Sequence, residues 1–320
     1  MPPLIEIKGL STQFHLATGV LKAVQCVDLT LDPGETLALV GESGCGKSIT
    51  AASIMRLVPP PGRIVAGSIL FKGIDLLQLP EEEMRGIRGN RIAMVFQDPM
   101  TSLNPVFTVG NQVAEGLRVH RGLSRREAER EAVEILSQVG IPAPRERIRD
   151  YPHQLSGGMR QRVMIAMALS CRPELIIADE PTTALDVTIQ AQILELLDRL
   201  KKETGMGLIL ITHNLGIVAE RAHRTAIMYA GRIVETAETS ELFRNPLHPY
   251  TRGLLASLPE FGAPGEKLST IAGSVPDLRN EIIGCPFRER CPICVAACAT
   301  QEPEMKEAGA GHSVRCLKAP

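Results

Sequence analysis

The chain has 320 residues, of which 44% are hydrophobic and 22% charged, and its formal net charge is −1. This is an ordinary globular composition, long enough for one large domain or two, and the near-neutral balance gives no electrostatic reason to expect nucleic acid or a lipid surface as a general partner. No apolar run approaches the ~18–20 residues that span a bilayer, and Met1–Gly9 alternates apolar and charged residues without a signal-peptide core, so the expectation is a cytoplasmic protein whose role at a membrane comes through a partner.

Ile5–Phe14 and Val20–Leu31 alternate like strands around a turn at 17–19, and Asp32-Pro33-Gly34 turns the chain into the apolar run Leu37–Val40. Gly41–Ser48 then reads GESGCGKS, which fits G-x-x-x-x-G-K-[ST] and leads into the helix-compatible Ile49–Leu57. Strand, loop and helix in that order are the context the motif requires. Gly41, Gly44 and Gly46 let the backbone of the loop, with Glu42, Ser43 and Cys45 between them, close into a nest of N–H groups facing phosphate oxygens. The helix adds its positive end, Lys47 reaches the β- and γ-phosphates, and Ser48 offers a hydroxyl to Mg²⁺. A nucleoside triphosphate is the expected ligand. Cys45 is expected to be chemically idle, or oxidisable when the loop holds nothing.

Ser68–Phe71 extends a partly antiparallel sheet. Arg91–Phe96 is a compact apolar run ending at Gln97, placed to meet a metal ion or an attacking water. Thr108–His120 and Ser124–Val139 have helical spacing, the second opened by a capping box of Ser124 and Glu127. The stretch 105–151 therefore reads as a helical insertion into an α/β core. In Leu155–Met159 (LSGGM), Ser156 caps the following helix while Gly157 and Gly158 expose its first N–H groups, a second anion-binding end. Leu175–Ala178 is a short buried strand that delivers Asp179 and Glu180 to its C-terminal edge. Asp179 suits Mg²⁺, directly or through water, and Glu180 suits polarising the water that attacks the γ-phosphate. Asp186 caps a helix over Val187–Glu203, ended by Gly205. Leu208–Thr212 is a further buried strand, ending at His213, whose expected contact is the γ-phosphate.

Beyond a hairpin at Ala226–Val234, Pro246 and Pro249 set an irregular docking segment before a short apolar helix over Arg252–Pro259. Of eight cysteines, Cys26, Cys45 and Cys171 are scattered, whereas Cys285, Cys291, Cys294, Cys298 and Cys316 crowd the end. In a cytosolic chain such crowding argues for metal rather than disulfides. Four thiolates suit an iron–sulfur cluster or tetrahedral zinc, and spacing alone does not choose. The segment they flank has little else to bury, so their expected role is to pin the tail.

The phosphate loop, Gln97, LSGGM, LIIADEP, Ala184-Leu185-Asp186 and His213, in this order, resemble the nucleotide-binding domain of an ABC ATPase from about Leu4 to Thr239. The resemblance implies an α/β P-loop NTPase core over 1–240 with an N-terminal antiparallel β subdomain and an inserted α-helical subdomain at about 105–172, then a Cys-rich extension over 241–320. It implies that Gly41–Ser48 is the Walker A loop, Gln97 the Q-loop, and Ser156, Gly157 and Gly158 the signature. Asp179 and Glu180 become the Walker B aspartate and catalytic glutamate, Asp186 a D-loop residue and His213 the switch histidine. ATP and Mg²⁺ follow as ligands, the metal held by Ser48, Gln97 and Asp179. A second ATPase subunit, copy or homologous chain, is implied as well, because each signature in such dimers closes on the other chain's ATP; that accounts for the second cradle.

FQDPMTSLNP (Phe96–Pro105) and NPLHPYT (Asn245–Thr251) are similar to segments of the ATP-binding subunits of oligopeptide/dipeptide and nickel importers. This implies two transmembrane permease subunits gripped by the helical insertion, a solute-binding protein outside, and a place at the cytoplasmic face of the cell membrane. Import of dipeptides or oligopeptides is the expected function, with nickel or another small solute as the alternative. A soluble ABC ATPase acting on nucleic acid would need a second nucleotide domain or a long basic linker, and neither is present. The family pattern C-x₅-C-x₆-C…C is matched by Cys285, Cys291, Cys298 and Cys316 and is associated with a 4Fe–4S cluster; zinc is the alternative, and Cys294 stands outside the pattern. One departure is the lack of an aromatic to stack on adenine, since Thr18, Val20 and Leu21 occupy that place and Phe14 comes early.

Overall fold

The computed structural model describes residues 2–183, 185–258, 270–309 and 311–319. Ala184 of the D-loop segment, and the end of the expected helix at Pro259, lie outside the described residues. The chain runs β1 (Ile5–Leu16), β2 (Gly19–Leu31), β3 (Thr36–Val40), α1 (Lys47–Ile54), β4 (Gly62–Phe71), β5 (Ile74–Asp75), α2 (Glu81–Ile87) and β6 (Ile92–Val95). There follow α3 (Pro99–Ser102), α4 (Val109–Arg121), α5 (Arg125–Gln138), α6 (Pro144–Arg147), α7 (Gly157–Leu169), β7 (Leu175–Asp179), α8 (Val187–Thr204) and β8 (Gly207–Thr212). Last come α9 (Leu215–Arg221), β9 (Arg224–Tyr229), β10 (Arg232–Glu238), α10 (Thr239–Arg244), α11 (Pro249–Ala256), β11 (Lys306–Gly309) and β12 (His312–Val314). Among the described residues no helix is long and apolar enough to cross a membrane. Two compact units emerge: 1–31, 36–77 and 211–320 form the first, 32–35 and 78–210 the second, and the chain crosses between them within β8.

The first unit holds two sheets. One is antiparallel, in the order β2-β1-β4-β5. Ile5, Ile7 and Leu10 of β1 are buried, but the alternation slips at a bulge between Ile7 and Leu10. Gly67 of β4 faces that bulge, where an added Cβ would fall 2.6 Å from the Leu10 backbone, so only glycine lets the strands approach. The other sheet runs β11-β12-β10-β9-β3, with β3 parallel to β9 in the register Leu37↔Arg224 to Val40↔Ile227. Every residue of β3 is buried, as a central parallel strand requires. The strand entry is fixed by a reciprocal pair: Thr36 N–H donates to Nδ1 of His223 at 2.9 Å, and His223 N–H donates to the Thr36 carbonyl at 2.9 Å.

The C-terminal region corrects the expectation that its cysteines flank a segment with little to bury. Leu278, Cys285, Phe287 and Cys298 share one apolar cluster with Val40, Ile227, Tyr229 and Tyr250. The rings of Tyr229, Tyr250 and Phe287 lie 4.7–5.5 Å apart, centroid to centroid, the range of offset and edge contacts. His248 caps α11 by accepting the Tyr250 N–H at Nδ1, 3.1 Å away, and burial holds its imidazole neutral by pulling the pKa down to about 3. Glu235, fully buried, accepts from the Leu247 and His248 N–H groups at 2.7 and 3.0 Å and pairs with His312 Nε2 at 2.8 Å. A buried carboxylate is tolerable only with such partners, and these tie β12 and the α11 entry to β10.

In the second unit β6 and β7 pair in parallel, Ile92↔Leu175 to Val95↔Ala178. Ser124 and Glu127 form the capping box of α5, and Gly122 ends α4 in the left-handed region. Ahead of α4, the Gln112 side chain donates to the carbonyls of Asn104 and Phe107 at 2.9 and 3.0 Å and accepts the Asn104 N–H at 2.9 Å. That buried amide holds the 104–107 turn in place of water.

Candidate active site

In the first unit, β3 ends where Gly41–Ser48 begins. Gly44 and Gly46 take φ of +79° and +108°, the left-handed region that glycine enters without strain. Gly46 is the N-cap of α1 and, having no side chain, makes no side-chain cap hydrogen bond at the helix start. Lys47 is 5% exposed, and its ammonium donates to the carbonyls of Gly41 at 2.7 Å and Glu42 at 3.0 Å. Two loop N–H groups are engaged within the protein: that of Glu42 donates to Tyr250 Oη at 2.9 Å and that of Cys45 to the Glu42 carbonyl at 3.3 Å. Cys45 is fully buried and burial pushes its thiol up, so it is held in the form least open to oxidation. His213 follows β8 and precedes α9, whose N-cap Asn214 accepts from Gly216 and Ile217.

The second unit carries the carboxylates. Asp179, the last residue of β7, is buried at the end of an apolar strand. Glu180 follows with φ of +46°, a left-handed conformation costly for a residue with a Cβ and a recurring mark of functional sites. Its Oε2 accepts from Gln97 Nε2 at 3.2 Å and from Thr183 Oγ1 at 2.8 Å. Gln97 and Glu180, 83 positions apart, are therefore brought together, and Thr183, which the sequence reading left out, completes the group. Ser156 caps α7 by accepting the Met159 N–H at 3.3 Å, with Gly157 and Gly158 as the first helical residues. Asp186 caps α8 through Ile189 N–H at 2.9 Å. A Cβ at Gly158 would press on the Ile189 side chain at 2.9 Å, whereas one at Gly157 would make an ordinary contact with Leu185 at 3.8 Å, so the two caps pack side by side and only Gly158 is crowded.

Of the C-terminal thiols, Cys285 and Cys298 are buried, Cys291 and Cys316 half-buried and Cys294 exposed, all unpaired by disulfide. Burial above all, with the neighbouring Cys298, Cys291 and Cys316 acting in the same direction, pushes Cys285 up to about 11. The four thiols of the C-x₅-C-x₆-C…C pattern thus lie within electrostatic reach of one another. Among the described residues, however, no three His, Cys, Asp or Glu side chains are gathered on one metal-sized centre.

A family model described as "ABC transporter" matches residues 24–183, and one described as "Oligopeptide/dipeptide transporter, C-terminal region" matches residues 234–298. A Brucella melitensis protein named for peptide import and ATP binding is 56% identical over 328 residues, covering 99% of this chain and 97% of its own. The dipeptide transport ATP-binding protein DppD of Bacillus subtilis is 50% identical over 317 residues, 99% of this chain and 95% of that one. Among solved structures, the dimeric post-hydrolysis state of the ATP-binding cassette MJ0796, bound to ADP and Pi, aligns with a TM-score of 0.66 at 29% identity, over 73% of this chain and 98% of that one. The cbiO1 structure from Clostridium perfringens, part of the cbiONQ complex, gives 0.63 at 27% identity, over 77% and 92%. With the Gly41–Ser48 loop, the carboxylate pair at the end of β7 and the capped glycines of α7 described, and with both family models matched, the chain belongs to the ABC transporter family of ATPases, in its oligopeptide/dipeptide transporter branch.

Proposed function

We propose that the chain drives uptake of dipeptides or oligopeptides across the cell membrane by hydrolysing ATP at its cytoplasmic face. It works as a head-to-tail dimer with a copy or a homologous chain, beneath two permease subunits gripped by the helical insertion, with a solute-binding protein supplying cargo outside. One observation carries the peptide assignment: relatives named for peptide and dipeptide transport align over 95–97% of their own length, C-terminal region included. The ATP assignment rests on loop chemistry. Gly41–Ser48 binds the phosphates, and the signature Ser156–Gly158 caps the partner's nucleotide. Ser48, Gln97 and Asp179, the last a buried acidic side chain, would hold Mg²⁺ through the oxygen donors it prefers, and the ion would supply charge neutralisation to the phosphates. Glu180 accepts the proton as water oxygen bonds to the γ-phosphorus and the β–γ bridge oxygen leaves with ADP. Thr183 and Gln97 hold the carboxylate from which that proton is taken, and His213 contacts the γ-phosphate. Deleting the gene is expected to reduce uptake of radiolabelled di- and tripeptides to the background of an uninduced cell. Undiminished peptide uptake with lost nickel uptake would move the chain to the nickel branch.

The tail thiols fit a metal in donor chemistry: Cys298, Cys291 and Cys316 each disfavour the thiolate of Cys285, and a cation that stabilises thiolates relieves that repulsion. We assign Cys285, Cys291, Cys298 and Cys316 to a 4Fe–4S cluster with a structural role, zinc being the alternative; either requires the sulfurs to draw together from where they stand. Anaerobically purified protein is expected to contain iron and sulfide in equal amounts with a brown absorption band, both lost in Cys291→Ser. One zinc per chain and no colour would favour the alternative, and neither metal would reject the assignment.

A further inference from the structure

The phosphate loop carries an acidic residue, Glu42, immediately after its first glycine. A carboxylate there opposes the purpose of the loop, since it repels the polyphosphate that the surrounding N–H groups and Lys47 attract. The structure compensates from the far end of the chain. Arg290, one residue before Cys291, forms a two-pronged ion pair with Glu42: Nη1 to Oε2 at 2.7 Å and Nη2 to Oε1 at 2.9 Å. This is the parallel geometry that makes guanidinium–carboxylate pairs directional. The Arg290 side chain is only 5% exposed, against 29% for Glu42. Its remaining donors are used as well, Nε to the Ala272 carbonyl at 3.0 Å and Nη2 to that of Ile271 at 3.3 Å, while the guanidinium carbon sits 5.7 Å from the Tyr229 ring centroid. The arginine is thus held rigidly by its own region, and the glutamate is held by it. The Glu42 backbone is held at two further points: its N–H donates to Tyr250 Oη of α11, and within the loop its carbonyl accepts from the Lys47 ammonium.

We propose that Arg290 is a positioning residue for ATP: it neutralises Glu42 and fixes the first turn of the phosphate loop, so that the C-terminal region sets nucleotide affinity. The proposal rests on the reading that Gly41–Ser48 grips the phosphates. It separates two effects that a purely structural ion pair would merge. Removing Arg290 alone leaves a bare carboxylate beside the incoming phosphates. Removing the charge of Glu42 in the same molecule takes that repulsion away, although the pair is broken either way.

Full-length protein titrated with a fluorescent ATP analogue and Mg²⁺, alongside steady-state hydrolysis and thermal unfolding, tests this. Arg290→Met is expected to weaken ATP binding about tenfold, equivalent to about 1.4 kcal/mol, with the loss falling on KM and kcat within twofold. Arg290→Met combined with Glu42→Gln is expected to recover at least half of that loss on a logarithmic scale. Arg290→Lys, which keeps the charge but not the two-pronged geometry, is expected to fall between. A double variant as weak as or weaker than Arg290→Met, or an Arg290→Met that binds within twofold of wild type, overturns the proposal. Should Arg290→Met fail to fold, the same rescue by Glu42→Gln is read on the Arg290→Lys background, where its absence is equally decisive. Lys47→Ala distinguishes the two levels: if it leaves ATP binding intact, the phosphate-loop reading fails, whereas lost binding there with an indifferent Arg290 fails only the present inference.

Discussion

Glu180→Gln is expected to lower ATP turnover by about 10²–10⁴-fold, the usual contribution of a positioned general base, while ATP binding is retained. The substitution is nearly isosteric. Glutamine can still accept the Thr183 hydroxyl through its amide oxygen, so the contact of 2.8 Å survives. The Gln97 contact of 3.2 Å becomes amide to amide and loses its charged acceptor. What disappears is the only function an amide cannot supply, acceptance of a proton from the attacking water. The backbone is not perturbed either, because φ of +46° is as uncomfortable for glutamine as for glutamate. Bound ATP should therefore persist rather than be consumed, and nucleotide retention after gel filtration, read beside phosphate release, measures both halves of the expectation. Phosphate release at the wild-type rate would remove Glu180 from the role of base, and lost ATP binding would place it among the binding groups instead.

What could be read from the sequence, and what could not, follows from how far apart the cooperating residues lie. The loop Gly41–Ser48, the capping box at Ser124 and Glu127, and the carboxylates at the end of β7 each occupy a short contiguous run in which backbone geometry is dictated locally. Their placement needed no knowledge of tertiary contacts. The environment of Glu42 is the opposite case. Its partners are Tyr250 and Arg290, 208 and 248 positions away, and no local pattern connects an arginine in a cysteine-rich stretch with a glutamate in a phosphate loop. The same distance hid the aromatic cluster: Tyr229, Tyr250 and Phe287 are single aromatics in a chain with only 3% aromatic content. Thr183 escaped for another reason. It lies three residues beyond Glu180, but only the left-handed turn at Glu180 brings its hydroxyl back onto the carboxylate. Pro246 and Pro249 signalled irregular chain, yet Pro249 opens α11 with His248 as its cap, since proline lacks only an N–H that the first helical turn does not use.

Gly46→Ala is expected to weaken ATP binding by at least 100-fold, about 2.7 kcal/mol, because a steric clash adds to the conformational cost. Gly46 combines φ of +108° with a walled position: an added Cβ would sit 2.4 Å from the Ala23 carbonyl oxygen and 2.8 Å from Met228 Cε. The methionine end can swing away, but the carbonyl belongs to β2 and cannot. Relief must come from the loop itself, and the loop is where the helix begins. The Gly46 carbonyl accepts both the Thr50 N–H at 2.9 Å and the Thr50 hydroxyl at 3.0 Å, so displacing it moves the first turn of α1 and with it Lys47 and Ser48. Gly44 supplies the comparison. It too has positive φ, +79°, but nothing lies within 4 Å of its added Cβ, so Gly44→Ala should cost only the conformational term of about 1–2 kcal/mol and weaken binding by roughly five- to thirtyfold. Equilibrium titration with a fluorescent ATP analogue ranks the two variants. Equal losses at both positions would show that backbone conformation, and not the wall formed by the Ala23 carbonyl, is what demands glycine at the mouth of α1.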